Sequence, residues 1–158
     1  SHLEQLGILL NSKILDWLFR KTSTNNHVMG YEIIQFPIPI NFVDSAAILK
    51  FTFLLNKQVK VKKLKFQEVY ENVSDAIVFN LYFSDHMKER EIDVLEFVEQ
   101  DMDKALQNRE FESLSNLEKE KVIVQLHATW NHPDNEVVKR MAQFKEKSPD
   151  ILKPILES

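Results

Sequence analysis

Apolar side chains recur every three or four residues along most of this chain, the spacing that places them on one face of an α-helix. Residues 3–20 show this spacing first, and it returns over residues 66–83 and in several shorter segments after Ser84. Residues 42–57 are apolar on nearly all sides, which predicts a helix that is buried on most sides or paired with a partner. The pattern predicts a mainly α-helical fold.

Two short segments depart from the helical spacing. Residues 31–36 are apolar-rich and are followed by Pro37 and Pro39, which predicts a small β element that ends where proline removes a backbone donor. Residues 58–65 alternate apolar side chains with lysines, so this stretch is either an exposed edge strand or the start of the following helix.

Boundary signals are clearest in the second half of the chain. Asp93 is placed to cap a helix that runs to Ala105, because a carboxylate there accepts hydrogen bonds from the first backbone N–H groups. Ser115 is followed three residues later by Glu118, the spacing of a capping box. Further helices are predicted to begin at Pro133 and at Pro149.

Composition narrows the class of protein. The chain has 158 residues, of which 44% are hydrophobic, enough for one domain or a domain with an appendage. It contains no cysteine, so it has neither a disulfide framework nor a thiolate metal site, as expected of a cytoplasmic protein. No apolar run approaches the ~20 residues of a membrane span, and no signal peptide is visible. We expect a fragment of a longer protein.

Charge is divided unevenly along the chain. Residues 1–65 carry nine Lys or Arg and four Asp or Glu, a net charge of +5. Residues 66–158 carry eleven and twenty, a net charge of −9. A polyanion would bind the first part and be repelled by the second, or the imbalance is the ordinary unevenness of a short chain.

Three sequence blocks follow one another in an order that resembles a known family. They are LLNSKILDWLFR at residues 9–20, GYEI at 30–33 and FPIP at 36–39. The order resembles the C-terminal specificity region of N6-adenine DNA methyltransferases from bacterial restriction-modification systems, above all the type IIG enzymes, which join methyltransferase and endonuclease in one polypeptide. The resemblance is good over residues 3–40 and looser through DAIVFNLYF at residues 75–83.

The resemblance implies two parts: residues 1–40 as the end of a DNA target-recognition region, and residues 41–158 as a helical tail module. It implies double-stranded DNA and the upstream methyltransferase domain as partners. The side chains expected nearest to DNA are Arg20, Lys21, Asn25, Asn26, His27 and Tyr31, followed by Lys60, Lys62 and Lys63. Arginine and lysine would contact phosphates, and asparagine can read adenine by a paired contact.

Each of these groups also has an ordinary structural explanation. The polar side chains of residues 23–31 can satisfy their own backbone in a loop. The lysines between Lys57 and Lys65 can instead protect an edge strand from aggregation. His127 and His132 are five residues apart, but without cysteine ligands a structural or capping role is favoured over a metal site.

Catalytic signals are missing from the chain. The Asn/Asp-Pro-Pro-aromatic loop and the glycine-bearing motif of the methyltransferase family are absent, and Glu118 to Lys121 lies in a predicted helix, the wrong context for a nuclease core. We therefore expect no catalytic residue and no cofactor here, with S-adenosylmethionine, and Mg²⁺ if a nuclease is present, held by the parent protein. The alternative is a helical protein-interaction or scaffold module that packs against the parent enzyme without touching DNA.

Overall fold

A computed structural model describes residues 7–22, 46–61 and 66–158, and all regular structure within them is helical. This confirms the predicted mainly α-helical class. The helices are α1 (Lys13–Thr22), α2 (Ala46–Val61), α3 (Gln67–Tyr82), α4 (Ser84–Glu89), α5 (Leu95–Leu106), α6 (Asn116–Thr129), α7 (Glu136–Ala142), α8 (Phe144–Lys147) and α9 (Leu152–Leu156), with a 3-10 turn at Phe111–Ser113.

The helix predicted over residues 3–20 is interrupted. Residues 7–10 are helical, the chain turns at Asn11 and Ser12, and α1 begins at the next residue. The Asn11 side chain donates to the Gly7 carbonyl at 2.8 Å, and the Ser12 hydroxyl donates to the Leu9 carbonyl at 2.6 Å. Side chains of this kind compete with the backbone for hydrogen bonds, which explains the break within an otherwise helical apolar pattern.

The alternation of residues 58–65 does not produce a strand where the structure describes it. Residues 58–61 continue α2, so they form neither the edge strand nor the start of the following helix that the sequence allowed. Val59 follows Leu55 by one helical turn, and both side chains are buried. Burial on that face favours helix over alternation. Residues 62–65 and the predicted β element at residues 31–36 lie outside the described residues.

Helix α3 is the centre of the described fold. Residues 73–81 are buried without interruption, so the second half of α3 is covered on all sides. It packs against α1, α2 and α4. The Tyr70 hydroxyl donates to the Ile123 carbonyl in α6, and the Phe79 ring meets Phe144 of α8 edge-on, with ring centroids 6.2 Å apart. Because α3 is contacted on all sides in this way, it holds the neighbouring helices in position.

Three polar side chains on the buried part of α3 attach other elements to it. Ser74 accepts a hydrogen bond from the Asn56 side chain of α2 at 2.9 Å. Asp75 accepts one from the backbone N–H of Lys13 at 2.9 Å, at the first residue of α1. Asn80 accepts from the backbone N–H groups of Val94 and Leu95, at 2.6 and 3.2 Å, where α5 begins. Buried polar groups are paired in this way because an unsatisfied one is costly.

Asp93 does not cap α5 as predicted, because Asn80 supplies the acceptor instead. The Asp93 carboxylate accepts from Arg140 at 2.9 Å, and the same guanidinium lies 4.4 Å from the centre of the Phe97 ring. The capping box at Ser115 is confirmed, with the Ser115 hydroxyl accepting from the backbone N–H of the third helical residue. The local cap at Ser115 is therefore read correctly from sequence, while at Asp93 a distant acceptor replaces the predicted local cap.

The helices after Pro133 and Pro149 are confirmed, and each begins three residues after its proline. Asn135 caps α7 by accepting from the backbone N–H of Val138 at 3.2 Å. The helix predicted from Pro133 is divided into α7 and α8 at Gln143. The predicted boundary between residues 40 and 41 lies outside the described residues, while α1, on its N-terminal side, packs against α3 and α9.

Candidate functional site

Two of the side chains predicted to contact DNA are described, and both reach solvent. Arg20 lies near the end of α1, and its guanidinium is 3.0 Å from the Asp16 carboxylate, with both side chains more than half exposed. Lys60 is exposed near the end of α2. An ion pair this exposed contributes little to stability, so Arg20 can exchange Asp16 for a phosphate group at little expense.

The other predicted DNA contacts cannot be placed. The backbone of Lys21 belongs to α1, but its side chain lies outside the description. The remaining predicted residues, which lie wholly outside the described ranges, are Asn25, Asn26, His27, Tyr31, Lys62 and Lys63. Of this predicted surface the structure therefore shows only α1 and α2, the helices next to the undescribed segments.

Those two helices are held at neighbouring positions of α3. Asp75 binds the start of α1, and Ser74, the residue before it, binds Asn56 of α2. The basic helices are thus attached to the same turn of α3, although they are separated by a long stretch of chain. Elsewhere on α2, Lys50 lies 3.0 Å from the Glu112 carboxylate and is engaged within the fold.

A cavity of about 410 Å³ lies between α3, α7, α8 and α9. Its walls are mainly apolar, with two aromatic rings and a methionine among them. The lining residues are Asn72, Asp75, Phe79, Val138, Met141, Ala142, Phe144, Lys145 and Leu156. An apolar cavity of this size with a few polar groups has the composition of a small-molecule site.

Asp75 is the chemically distinctive group in this cavity. Its side chain is only 8% exposed, and burial raises the pKa of its carboxyl from an ordinary value of 3.8 to about 6. The hydrogen bond from the Lys13 backbone and the positive charge of Lys13 oppose this rise in pKa, while the negative charge of Glu71 adds to it. Above pH 6 the cavity wall therefore carries a carboxylate that is poorly solvated.

The positive group at the cavity wall reaches solvent. Lys145 lines the cavity, but its ammonium lies 3.8 Å from the Glu157 carboxylate and its side chain is 55% exposed. The positive charge that acts on Asp75 comes from Lys13. Asp75 can accept a proton, a hydrogen bond or a cation from a molecule in the cavity.

His127 and His132, the two histidines considered as metal ligands, have structural contacts. His127 stacks on Phe66 with ring centroids 3.9 Å apart, and the His132 ring accepts a hydrogen bond from the backbone N–H of Asp134 at 3.1 Å. Among the described residues no group of three or more His, Cys, Asp or Glu is placed to hold a metal ion. The contact of His132 is therefore structural and lies in the turn before α7, whose cap is Asn135.

His86 is half-buried and forms a specific contact. Its ring nitrogen Nε2 is 2.7 Å from the hydroxyl of Ser148, which is completely buried and accepts from the backbone N–H of Leu152. Desolvation by burial lowers the pKa of His86, and the positive charge of Arg90 lowers it further. A neutral imidazole that accepts a hydrogen bond from the Ser148 hydroxyl matches this geometry. The hydroxyl oxygen in turn accepts from the first backbone N–H of α9, so the pair stabilises the start of that helix.

Sequence reasoning missed two buried polar residues of α3, Asp75 and Asn80. Asn80 shares the apolar face of the predicted helix with Val73 and Ile77, and a polar side chain on such a face indicates a buried group that needs a partner. Asp75 lies off that face, so apolar spacing gave no signal for its burial.

Comparison with known proteins found no similar protein. No protein-family model matches the chain, and no curated protein or solved structure matches it either. A search of the described helices for one long and apolar enough to cross a bilayer found none.

Proposed function

We propose that this chain is a non-catalytic, DNA-binding part of the target-recognition region of a bacterial restriction-modification adenine methyltransferase that acts in the cytoplasm. The family resemblance over residues 3–40 is the observation that carries the proposal. The exposure of Arg20 and Lys60 supports it, because both basic side chains are accessible to a phosphate backbone. S-adenosylmethionine and Mg²⁺ would be held by the upstream part of the parent protein.

In this function the positive charge of residues 1–65 provides affinity. Arg20, Lys21, Lys60, Lys62 and Lys63 would contact phosphates, which gives binding that depends on salt but not on base sequence. Base reading would come from Asn25, Asn26, His27 and Tyr31. The acidic remainder would face away from DNA and pack against the methyltransferase domain.

Fluorescence anisotropy with a random-sequence duplex across a salt series tests the proposal. The variant Arg20→Ala/Lys21→Ala/Lys62→Ala/Lys63→Ala removes four positive charges from the proposed surface. Because each neutralised phosphate contributes about −0.9 to the slope of log affinity against log salt, we expect a slope near −4 or steeper for the natural chain. The variant should lose most of that slope and most of the affinity at low salt.

The matched control removes the same number of charges from the acidic part. Lys88, Lys104, Lys121 and Lys153 are exposed on α4, α5, α6 and α9, and replacing them with alanine should leave DNA binding within about twofold of the natural chain. Equal loss in both variants would show that only net charge matters and would contradict a defined surface. Absence of binding at low salt would also contradict the proposal for this chain.

A second candidate is a protein-interaction module, and one observation favours it. Leu117 and Val124 are seven residues apart on α6, which places them on the same face, and they are 65% and 48% exposed. The partner would be the upstream methyltransferase domain. Replacing both residues with lysine should abolish co-elution with that domain without changing DNA binding, whereas unchanged co-elution would remove this candidate.

A further inference from the structure

The cavity between α3, α7, α8 and α9 pairs an apolar volume with one buried acidic group. The carboxyl of Asp75 contributes to its wall, together with the rings of Phe79 and Phe144 and the aliphatic side chains of Met141 and Leu156. Burying a carboxylate beside apolar groups is unfavourable unless something compensates its charge. A molecule that fills the cavity would desolvate the carboxylate further, so the chemistry of its polar end must match Asp75.

An anionic ligand does not fit this arrangement. It would bring a second negative charge to the wall formed by Asp75, next to the negative charge of Glu71, which already acts on that carboxyl. Lys145 offsets little of this repulsion, because its side chain is more than half exposed and solvent screens its charge. A neutral ligand would fill the volume but leave the carboxylate without a counter-charge.

A cationic ligand matches both features of the cavity. An ammonium group would meet the Asp75 carboxylate, and an apolar body would cover the remaining walls. The two aromatic rings add a favourable surface, since the faces of such rings attract cations and their edges pack against other rings. We propose that this cavity binds a small organic cation with an apolar body, and that the Asp75 carboxylate holds its ammonium group.

The hydrogen bond from Lys13 connects this site to α1. One carboxylate oxygen of Asp75 already accepts from the Lys13 backbone, and a carboxylate can accept several bonds at once. The bound cation would therefore share Asp75 with the start of α1 rather than displace it. The charge of Lys13 opposes a second cation at Asp75, while Glu71 favours it.

NMR titration of the full chain with phenethylammonium at pH 7.5 tests the site. We expect chemical-shift changes at the Met141 methyl group and at Val138 and Leu156. Two compounds with the same apolar body serve as controls: 2-phenylethanol is neutral, and 3-phenylpropionate is an anion. The alcohol should bind at least tenfold more weakly, and the anion should not perturb the cavity residues.

Asp75→Asn keeps the shape and the acceptor oxygen but removes the charge. It should weaken phenethylammonium binding at least tenfold and leave 2-phenylethanol unchanged. Lowering the pH to 5 should weaken binding to the natural chain about tenfold, because protonation then neutralises most of the carboxyl. The pH change should have little effect on Asp75→Asn.

A second variant tests the location without touching the charge. Ala142 lines the cavity and is exposed, so Ala142→Phe should occupy the space and abolish binding while the far-ultraviolet circular dichroism spectrum stays unchanged. Three results would each overturn the proposal: equal affinity for the alcohol and the ammonium, undiminished binding by Asp75→Asn, or no response at cavity residues to 10 mM ligand, a concentration above the roughly millimolar affinities of fragments. DNA takes no part in this experiment, so its outcome is independent of the proposed function.

Discussion

Asp75 and Asn80 lie five residues apart on α3, and each accepts hydrogen bonds from backbone N–H groups where another helix begins. Asp75 binds the start of α1, and Asn80 binds the start of α5. Both side chains are buried, with 8% and 5% of their surface exposed. They differ in charge: the amide is neutral at every pH, whereas the carboxyl of Asp75 is ionised above its raised pKa of about 6.

This difference in charge shows that capping a helix does not require an ionisable group, although the cavity contains one. A neutral amide is sufficient to attach α5 to α3, and it does so through two hydrogen bonds. At Asp75 the same attachment is made by a group whose ionised form is destabilised by burial. The cavity beside Asp75 gives the carboxylate a second role that the amide could not perform. Four substitutions test this comparison.

Asn80→Ala should have the largest effect. It leaves the backbone N–H groups of Val94 and Leu95 without their acceptor, and we expect the free energy of unfolding to fall by about 3 kcal/mol. Urea denaturation followed by circular dichroism measures this loss. Asn72→Ala is the matched control, because Asn72 is exposed on the same helix, and it should change stability by less than about 0.5 kcal/mol. Equal losses would show that Asn80 is not a cap.

Asp75→Asn should have the next largest effect and the opposite sign. The folded-state pKa of Asp75 is raised above its unfolded value, so the stability it contributes is fully present below about pH 3.8 and is lost as the pH rises through about 6. Above pH 6 the substitution removes that unfavourable ionisation, and we expect a gain of about 1–3 kcal/mol at pH 7.5.

The difference in stability between Asp75→Asn and the natural chain should shrink as the pH falls from 7 to 4. Denaturation at several pH values measures it, and taking the difference cancels the other acidic groups. Glu71→Gln, an exposed change one turn away, should produce no comparable gain. Destabilisation by Asp75→Asn at pH 7.5 would show that the carboxylate strengthens the attachment of α1.

Ser74→Ala should have a smaller effect, a loss of about 1 kcal/mol. The Ser74 hydroxyl donates to the Tyr70 carbonyl at 2.7 Å and accepts from Asn56 at 2.9 Å, so the substitution removes the side-chain hydrogen bond between α2 and α3. A double-mutant cycle with Asn56→Ala isolates that contact, and we expect a coupling of about 0.5–1 kcal/mol. Strict additivity would mean that the side-chain pair does not join the two helices.

Ser115→Ala should have the smallest effect, about 0.5–1 kcal/mol, because its cap is local and solvent-exposed. Ser115→Asp is the control, since it keeps an acceptor at the N-cap and should stay close to the natural stability. Thermal denaturation compares the two. A loss as large as that of Asn80→Ala would remove the distinction between local and distant caps.

The distinction between local and distant contacts also determines how much of the fold the sequence predicts. The capping box at Ser115 and the buried side of α3 follow from spacing alone, because both depend on residues within a few positions of one another. The break at Ser12 depends on a competition between side chain and backbone that apolar spacing does not register. The end of α2 depends on burial of Val59, which only the packed structure determines.

The cavity depends on contacts between distant parts of the chain, and no local pattern could predict it. Asp75 and Phe144 line the same space although they are far apart in sequence. Asp75 lies off the apolar face predicted for residues 66–83, so neither its burial nor its partner at Lys13 could be read from spacing. The predicted DNA contacts rest on the family resemblance, and of their side chains only those of Arg20 and Lys60 are described.

The most direct test is the titration of the Asp75 carboxyl carbon by NMR in the full chain. We predict a midpoint near pH 6, with Asp75→Asn used to assign the resonance. Phenethylammonium should lower that midpoint, since a bound cation favours the ionised form. A midpoint at or below the ordinary value of 3.8 would contradict the account, because Asp75 would then be a favourable charged cap with no need for a cationic ligand.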